Sequence, residues 1–99
     1  MAKPLDGIKV LDMTKVLAGP YCGMMLRNLG AEVIHCEMPG AGDDARAYGP
    51  YVNGESIYFL SINRGKKSVE INPKTPEGKK VLTDLIKRAQ VHVQNCNPA

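Results

Sequence analysis

Apolar and polar positions along the chain change period several times, and the changes mark a run of alternating strands and helices. Ile8 to Thr14 is a short β-rich run entered through Pro4 and Gly7, which predicts a first strand. Val16-Leu17-Ala18-Gly19-Pro20 then turns into a helix, with Gly19 expected as N-cap and Pro20 at the first helical position. Tyr21, Met25 and Leu29 recur at spacings of four, with Cys22 and Leu26 beside them, and predict an apolar stripe that Gly30 closes. Glu32 to Glu37 predicts a second strand, joined to the first by a right-handed parallel crossover.

The pattern loosens between Met38 and Asn53, which is rich in Gly, Pro and Asp and is expected to be an irregular, functional loop. Ser56 to Asn63 fits a short helix or a buried strand equally well. Ser68 to Asn72 predicts a third strand after the basic turn Arg64-Gly65-Lys66-Lys67. Thr75-Pro76-Glu77 opens a second long helix, whose buried face is expected to be Val81, Leu82, Leu85, Ile86 and Ala89. Val91 to Cys96 predicts the fourth strand, followed by an Asn-Pro turn. The fold class is therefore α/β: a Rossmann-like, mostly parallel sheet with flanking helices, expected to be an incomplete part of a larger domain.

Composition narrows the function classes. With 43% hydrophobic and 23% charged residues the chain is ordinary globular protein, which excludes disorder and fibrous repeats. The net charge of +3 gathers around Arg64, Lys66, Lys67, Lys74, Lys79, Lys80, Lys87 and Arg88, a solvated set able to attract phosphates. One Phe and no Trp supply a poor stacking platform, so nucleic acid is not an expected partner. Cys22, Cys36 and Cys96 are odd in number and widely spaced, and with no apolar run long enough to span a bilayer they point to a reducing, cytoplasmic setting without membrane attachment.

In an open α/β sheet, ligands sit beyond the carboxyl ends of the strands, here Thr14 to Pro20, Glu37 to Gly42, Asn72 to Lys74 and Asn95 to Asn97. The first turn offers N–H groups to a phosphate, and Glu37 is spaced to meet a ribose hydroxyl. Gly19 and Gly23 give G-x-x-x-G rather than a dinucleotide fingerprint, which disfavours NAD and assigns them to a tight turn and close helix–sheet packing. His35 and His92 read as ordinary core or face histidines with no metal-ligand spacing, Cys22 as a residue of the apolar stripe, and Asp43 and Asp44 as a solvated turn.

A set of blocks in order carries a resemblance through the whole chain: Pro4 to Asp12, Val16 to Pro20, Leu29 to Ile34, Pro39 to Asp43, Ser56 to Phe59, Asn63 to Ser68, and Asn95. Together they resemble the amino-terminal region of family III CoA-transferases. The resemblance implies that residues 1–99 are the N-terminal part of a CoA-binding Rossmann-like domain in a longer enzyme. That enzyme would form an interlocked homodimer and move coenzyme A from an acyl-CoA to a carboxylic acid through an aspartyl-CoA thioester. The implied nucleophilic aspartate lies beyond residue 99, so no catalytic residue is assigned here. Coenzyme A or acyl-CoA would be a substrate, with no permanently bound cofactor.

Carried over position by position, the resemblance implies CoA contacts at Leu17 and Ala18, at Met38, at Ile71, Asn72, Pro73 and Lys74, and at Asn95, Cys96 and Asn97. Lys74 is the implied phosphate partner. Formyl-CoA transferase carries Gln in place of Leu17, the family often has Arg in place of Met38, and an aromatic residue in place of Cys96. The Ala-Gly-Pro turn sets the chain apart from the related 2-methylacyl-CoA racemases, which commonly carry Ala-Pro-Gly-Pro. The competing expectations are a segment of such a racemase, a stand-alone CoA- or nucleotide-binding module without catalysis, and a truncated product that self-associates.

Overall fold

A computed structural model describes residues 3–95. In chain order the elements are β1 (Lys9–Met13), α1 (Ala18–Asn28), β2 (Glu32–Glu37), a 3-10 turn (Asp44–Ala47), the short strands β3 (Tyr51–Val52) and β4 (Glu55–Ser56), α2 (Ile57–Asn63), β5 (Lys67–Glu70), α3 (Pro76–Arg88) and β6 (Val91–Gln94). The four long strands form one parallel sheet in the order β5-β2-β1-β6, with Val10 in register with Val33 on one side and Val91 on the other. The chain steps outward from β1 to β2 to β5 and then returns to β1's free side. That reversal places the topological switch between the carboxyl ends of β1 and β6.

Residues 38–53 are more ordered than their composition predicts. Asn53 and Gly54 both take positive φ and join β3 to antiparallel β4 in a tight hairpin, as primed turns require. Ser56 decides the ambiguous segment that follows: its hydroxyl accepts the Phe59 N–H at 3.1 Å as an N-cap, so residues 57–63 are helical.

Alternate residues of the central strands face opposite layers. Val10 and Val33 pack with Ala31 and Leu26 beneath α1, while Leu11 and Ile34 lie toward Leu85 of α3. In α1 the expected stripe is inverted. Tyr21, Met25 and Leu29 are exposed, and Gly19, Pro20, Gly23 and Met24 are buried. A Cβ on Gly19 would overlap Thr14, and one on Gly23 would overlap the Asp12 carboxylate, so the glycines let the helix sit directly on the sheet and turn its bulky side outward. Cys22 is exposed with that outer side. The N-cap is Leu17 rather than Gly19, which moves Pro20 to the third helical position; an N–H is dispensable there too, because the first-turn donors have no intrahelical partner.

Helix α3 begins as its sequence predicts, with Thr75 Oγ accepting the Gly78 N–H at 3.0 Å, Pro76 first, and Lys87 and Arg88 in the last turn. Its apolar face is narrower than expected. Leu82, Leu85 and Ala89 are half-buried, whereas Val81 and Ile86 flank that seam and stay exposed. Among the described residues, no helix is long and apolar enough to cross a membrane.

Candidate functional site

At the carboxyl edge of the sheet the loops after β1, β2 and β5 enclose a cleft of about 410 Å³. Its wall is largely apolar, made by Met13, Cys36, Met38, Ile71, Pro73 and Leu82, with Lys15 and Asp44 paired at 3.7 Å beside it. Burial, and then the nearby Asp12 charge, push the Cys36 thiol up to about 11, so it lines the cleft as a neutral group.

Three of the ten expected contact residues, Met38, Ile71 and Pro73, thus share one wall. Leu17 and Ala18 are exposed at the start of α1. Asn72 closes its own turn, its side-chain oxygen accepting the Lys74 N–H at 3.0 Å, and Lys74 is exposed. Asn95 reaches across the switch point: its amide oxygen accepts the Lys15 N–H at 3.1 Å and its NH2 donates to the Lys15 carbonyl at 3.0 Å. The edge of β6 is thereby pinned to the β1–α1 turn. Cys96 and Asn97 lie outside the described residues.

Beneath the cleft, on the α1 side of the sheet, runs a buried polar chain. Lys66 Nζ donates to Asp12 Oδ2 at 2.6 Å, to the Pro20 carbonyl at 2.8 Å and to Asn63 Oδ1 at 2.7 Å, which uses all three of its protons. Asp12 also accepts from the Thr14 N–H at 2.9 Å and from the Thr14 hydroxyl. His35 lies between two carboxylates: Nε2 is 3.2 Å from Asp43 Oδ2, and Nδ1 is 3.4 Å from Asp12 Oδ2, an ion-pair contact whose geometry falls short of a hydrogen bond. Asp43 in turn accepts the N–H groups of Val16 at 3.0 Å and Ala45 at 2.9 Å. Glu37 receives Arg46 in a fork at 2.6 and 2.8 Å, the Asp43 N–H at 2.7 Å and the Ser68 hydroxyl.

These contacts fix the charges. Burial alone would raise the carboxyl groups, but the donors outweigh it, and Asp12 and Glu37 are each held down at about 2. Asp43 is lowered for the same reason, against its burial, by His35 and the two backbone donors. His35 is raised above its ordinary value: burial disfavours the imidazolium, and the Asp12 and Asp43 carboxylates more than offset it. Lys66 is lowered by burial, which its pairing with Asp12 only partly offsets.

Four sequence expectations change here. Glu37 is not free for a ribose, because Arg46, Ser68 and the Asp43 N–H occupy both oxygens. Asp43 is buried at 3% exposure rather than part of a solvated turn, whereas Asp44 is exposed as expected. Lys66 leaves the basic surface set, since its side chain is 2% exposed. His35 is a core histidine, as expected, but an ion-paired one; His92 is exposed, with Nε2 3.2 Å from Met13 Sδ. The signal for the chain was in the sequence: Asp12 and His35 interrupt the two central strands where burial on both faces calls for apolar residues. With its buried carboxylates saturated, the edge presents an apolar cleft whose flanking loops are tied together by the charge chain.

Residues 5–99 match CoA-transferase family III. The chain is 54% identical over 97 residues to the succinyl-CoA:glutarate CoA-transferase of Homo sapiens, covering 97% of this chain and 22% of that protein. It is 43% identical over 95 residues to the acetyl-CoA:oxalate CoA-transferase of Acetobacter aceti, with 96% and 24% covered. Among solved structures, a CAIB/BAIF family protein from Brucella suis superposes with a TM-score of 0.90 at 40% identity, over 97% of this chain and 26% of that one. The chain spans about a quarter of the length of the relatives it matches. With the parallel sheet, the cleft at its carboxyl edge and the match over nearly its full length, this chain belongs to family III of the CoA-transferases.

Proposed function

We propose that residues 1–99 form the N-terminal part of the CoA-binding domain of an enzyme that transfers coenzyme A from an acyl-CoA to a carboxylic acid. The observation that carries this reading is the apolar cleft at the carboxyl edge of the sheet, with Met38, Ile71 and Pro73 on one wall and Lys15 beside them. Such a cleft accepts the flat, weakly polar adenine and sets cations within reach of phosphates. Lys74, exposed after β5, and the Leu17–Ala18 turn complete the contact set, together with Asn72, Asn95, Cys96 and Asn97.

The names of the relatives couple an acyl-CoA with a dicarboxylate: succinyl-CoA with glutarate, acetyl-CoA with oxalate. We extend that substrate class to this chain. In the proposed reaction a carboxylate attacks the thioester carbonyl and expels the CoA thiolate, leaving a mixed anhydride; the thiolate then attacks the enzyme-derived carbonyl, giving an aspartyl-CoA thioester and the free acid. The acceptor carboxylate reverses both steps. Asp12 and Asp43 are buried in ion pairs and are not assigned as the nucleophile, which we place outside residues 1–99. A homodimer working in the cytoplasm is part of the same proposal.

The test is a coenzyme A titration of the isotopically labelled chain followed by amide NMR shifts, with Lys74→Ala as control. Saturable shifts at Ala18, Asn72 and Asn95 that weaken in the variant are expected. A folded sample whose amides do not move would overturn this assignment of the site.

A further inference from the structure

The β1–α1 turn contains a backbone conformation that its residue disfavours. Val16 has φ of 73°, in the left-handed region that β-branched side chains rarely enter. Asn53, the other non-glycine residue with positive φ among those described, tolerates it in a hairpin turn; valine has no such latitude. A conformation of this kind persists only where its surroundings over-determine it.

Two side chains do so here. Asn95 holds both the N–H and the carbonyl of Lys15, the residue before. Asp43 accepts the N–H of Val16 itself at 3.0 Å. Asp43 comes from the loop after β2, and its own position is fixed from three further directions: Ala45 N–H on Oδ1, His35 Nε2 on Oδ2, and Glu37 Oε1 on its backbone N–H. Its carboxylate therefore clamps one loop of the cleft to another.

We propose that Asp43 is a positioning residue for the ligand-binding turn: by holding Val16 in the left-handed conformation it sets the path of Leu17 and Ala18 into α1. The inference rests on the reading of this edge as the CoA site. It adds that the turn after β1 and the loop after β2, which carries Met38, behave as one unit, so a ligand touching either is read by both.

The experiment compares wild type, Asp43→Ala, Asp43→Asn and the pair Asp43→Ala with Val16→Gly. Amide hydrogen exchange and chemical shifts of Val16, Leu17 and Ala18 are measured first without ligand, then coenzyme A is titrated. Asp43→Ala is expected to speed Val16 exchange about tenfold and to weaken CoA binding about tenfold, the worth of one charge-assisted hydrogen bond. Asp43→Asn keeps an acceptor oxygen and should fall between. Adding Val16→Gly should restore most of the affinity without restoring the melting temperature, because glycine adopts the turn unaided; a purely structural Asp43 would give no such split.

Unchanged turn amides in Asp43→Ala would overturn the proposal, as would a double variant no better than the single one. If Asp43→Ala does not fold, Asp43→Asn decides, and Val16 exchange equal to wild type refutes the clamp. A wild-type chain that ignores CoA would sink the site assignment, while the ligand-free exchange data would still judge Asp43.

Discussion

Replacing Lys66 by methionine keeps the stem of the side chain and removes its charge, which isolates what the buried ammonium contributes. In the native fold that ammonium satisfies Asp12 Oδ2, the Pro20 carbonyl and Asn63 Oδ1 at 2.6–2.8 Å, with its side chain 2% exposed. Removing one partner of a buried pair costs about 3–5 kcal/mol, because the other charge is left uncompensated. A domain of this size has only ~5–15 kcal/mol in total, so Lys66→Met should remove about a fifth of its stability or more. In a thermal melt that corresponds to a fall of roughly 12–40 °C. Urea unfolding at pH 7, followed by circular dichroism, gives the difference directly. Adding Asp12→Asn should return part of the loss, since the uncompensated charge is then gone. A Lys66→Met chain within about 1 kcal/mol of wild type would refute the reasoning, and so would strict additivity of the two substitutions.

The charge chain also predicts a stability profile with two limbs. Glu37 is depressed from 4.5 to about 2, so its contribution, on the order of 3 kcal/mol at 1.36 kcal/mol per pKa unit, is present above pH 4.5 and lost as pH falls toward 2; Asp12 acts in the same direction over a slightly lower range. His35 is raised, so its contribution is complete below about pH 6.5 and fades as pH rises through its folded value. Urea midpoints across pH 2–9 should peak between about pH 5 and 6.5, and a midpoint that holds constant from pH 5 to 2 would contradict the assignment. Gly23→Ala places a methyl group against the Asp12 carboxylate and near Lys66 Nζ, and should cost about 1–3 kcal/mol by overpacking; a neutral result would show that α1 can lift off the sheet freely. Met38→Arg adds a guanidinium to the cleft wall and should tighten CoA binding by about 1.5–3 kcal/mol, read by calorimetry, with unchanged affinity counting against Met38 as a contact.

Periodicity located the elements because long-range and local preferences agree in them. Thr75, Pro76 and Glu77 start α3 where they should, and the strands fall within a few residues of their expected bounds. Orientation was harder. The Tyr21, Met25, Leu29 stripe is a sound helical signal, yet the two glycines opposite it control which side meets the sheet, since close approach outweighs side-chain apolarity where a Cβ would collide with Thr14 or Asp12. Asp43 and Lys66 were illegible for a related reason: both sit in polar, Gly-rich stretches that look solvated, and only the folded chain brings them to His35 and Asp12 from residues 8 and 54 positions away. The cleft wall at Met38, Ile71 and Pro73 was reached through strand order and family resemblance, not through any local motif.

The clasp between Asn95 and Lys15 joins groups 80 residues apart. During synthesis the ribosome releases β1 and β2 early, and the two can begin to pair while most of the chain is still unmade. The turn at Lys15 cannot take its final shape until the end of β6 has emerged and swung back to the far side of β1. The loop after β1 is therefore finished only once β6 has docked, and a nascent chain would pair β1 with β2 before its β1–α1 turn was complete.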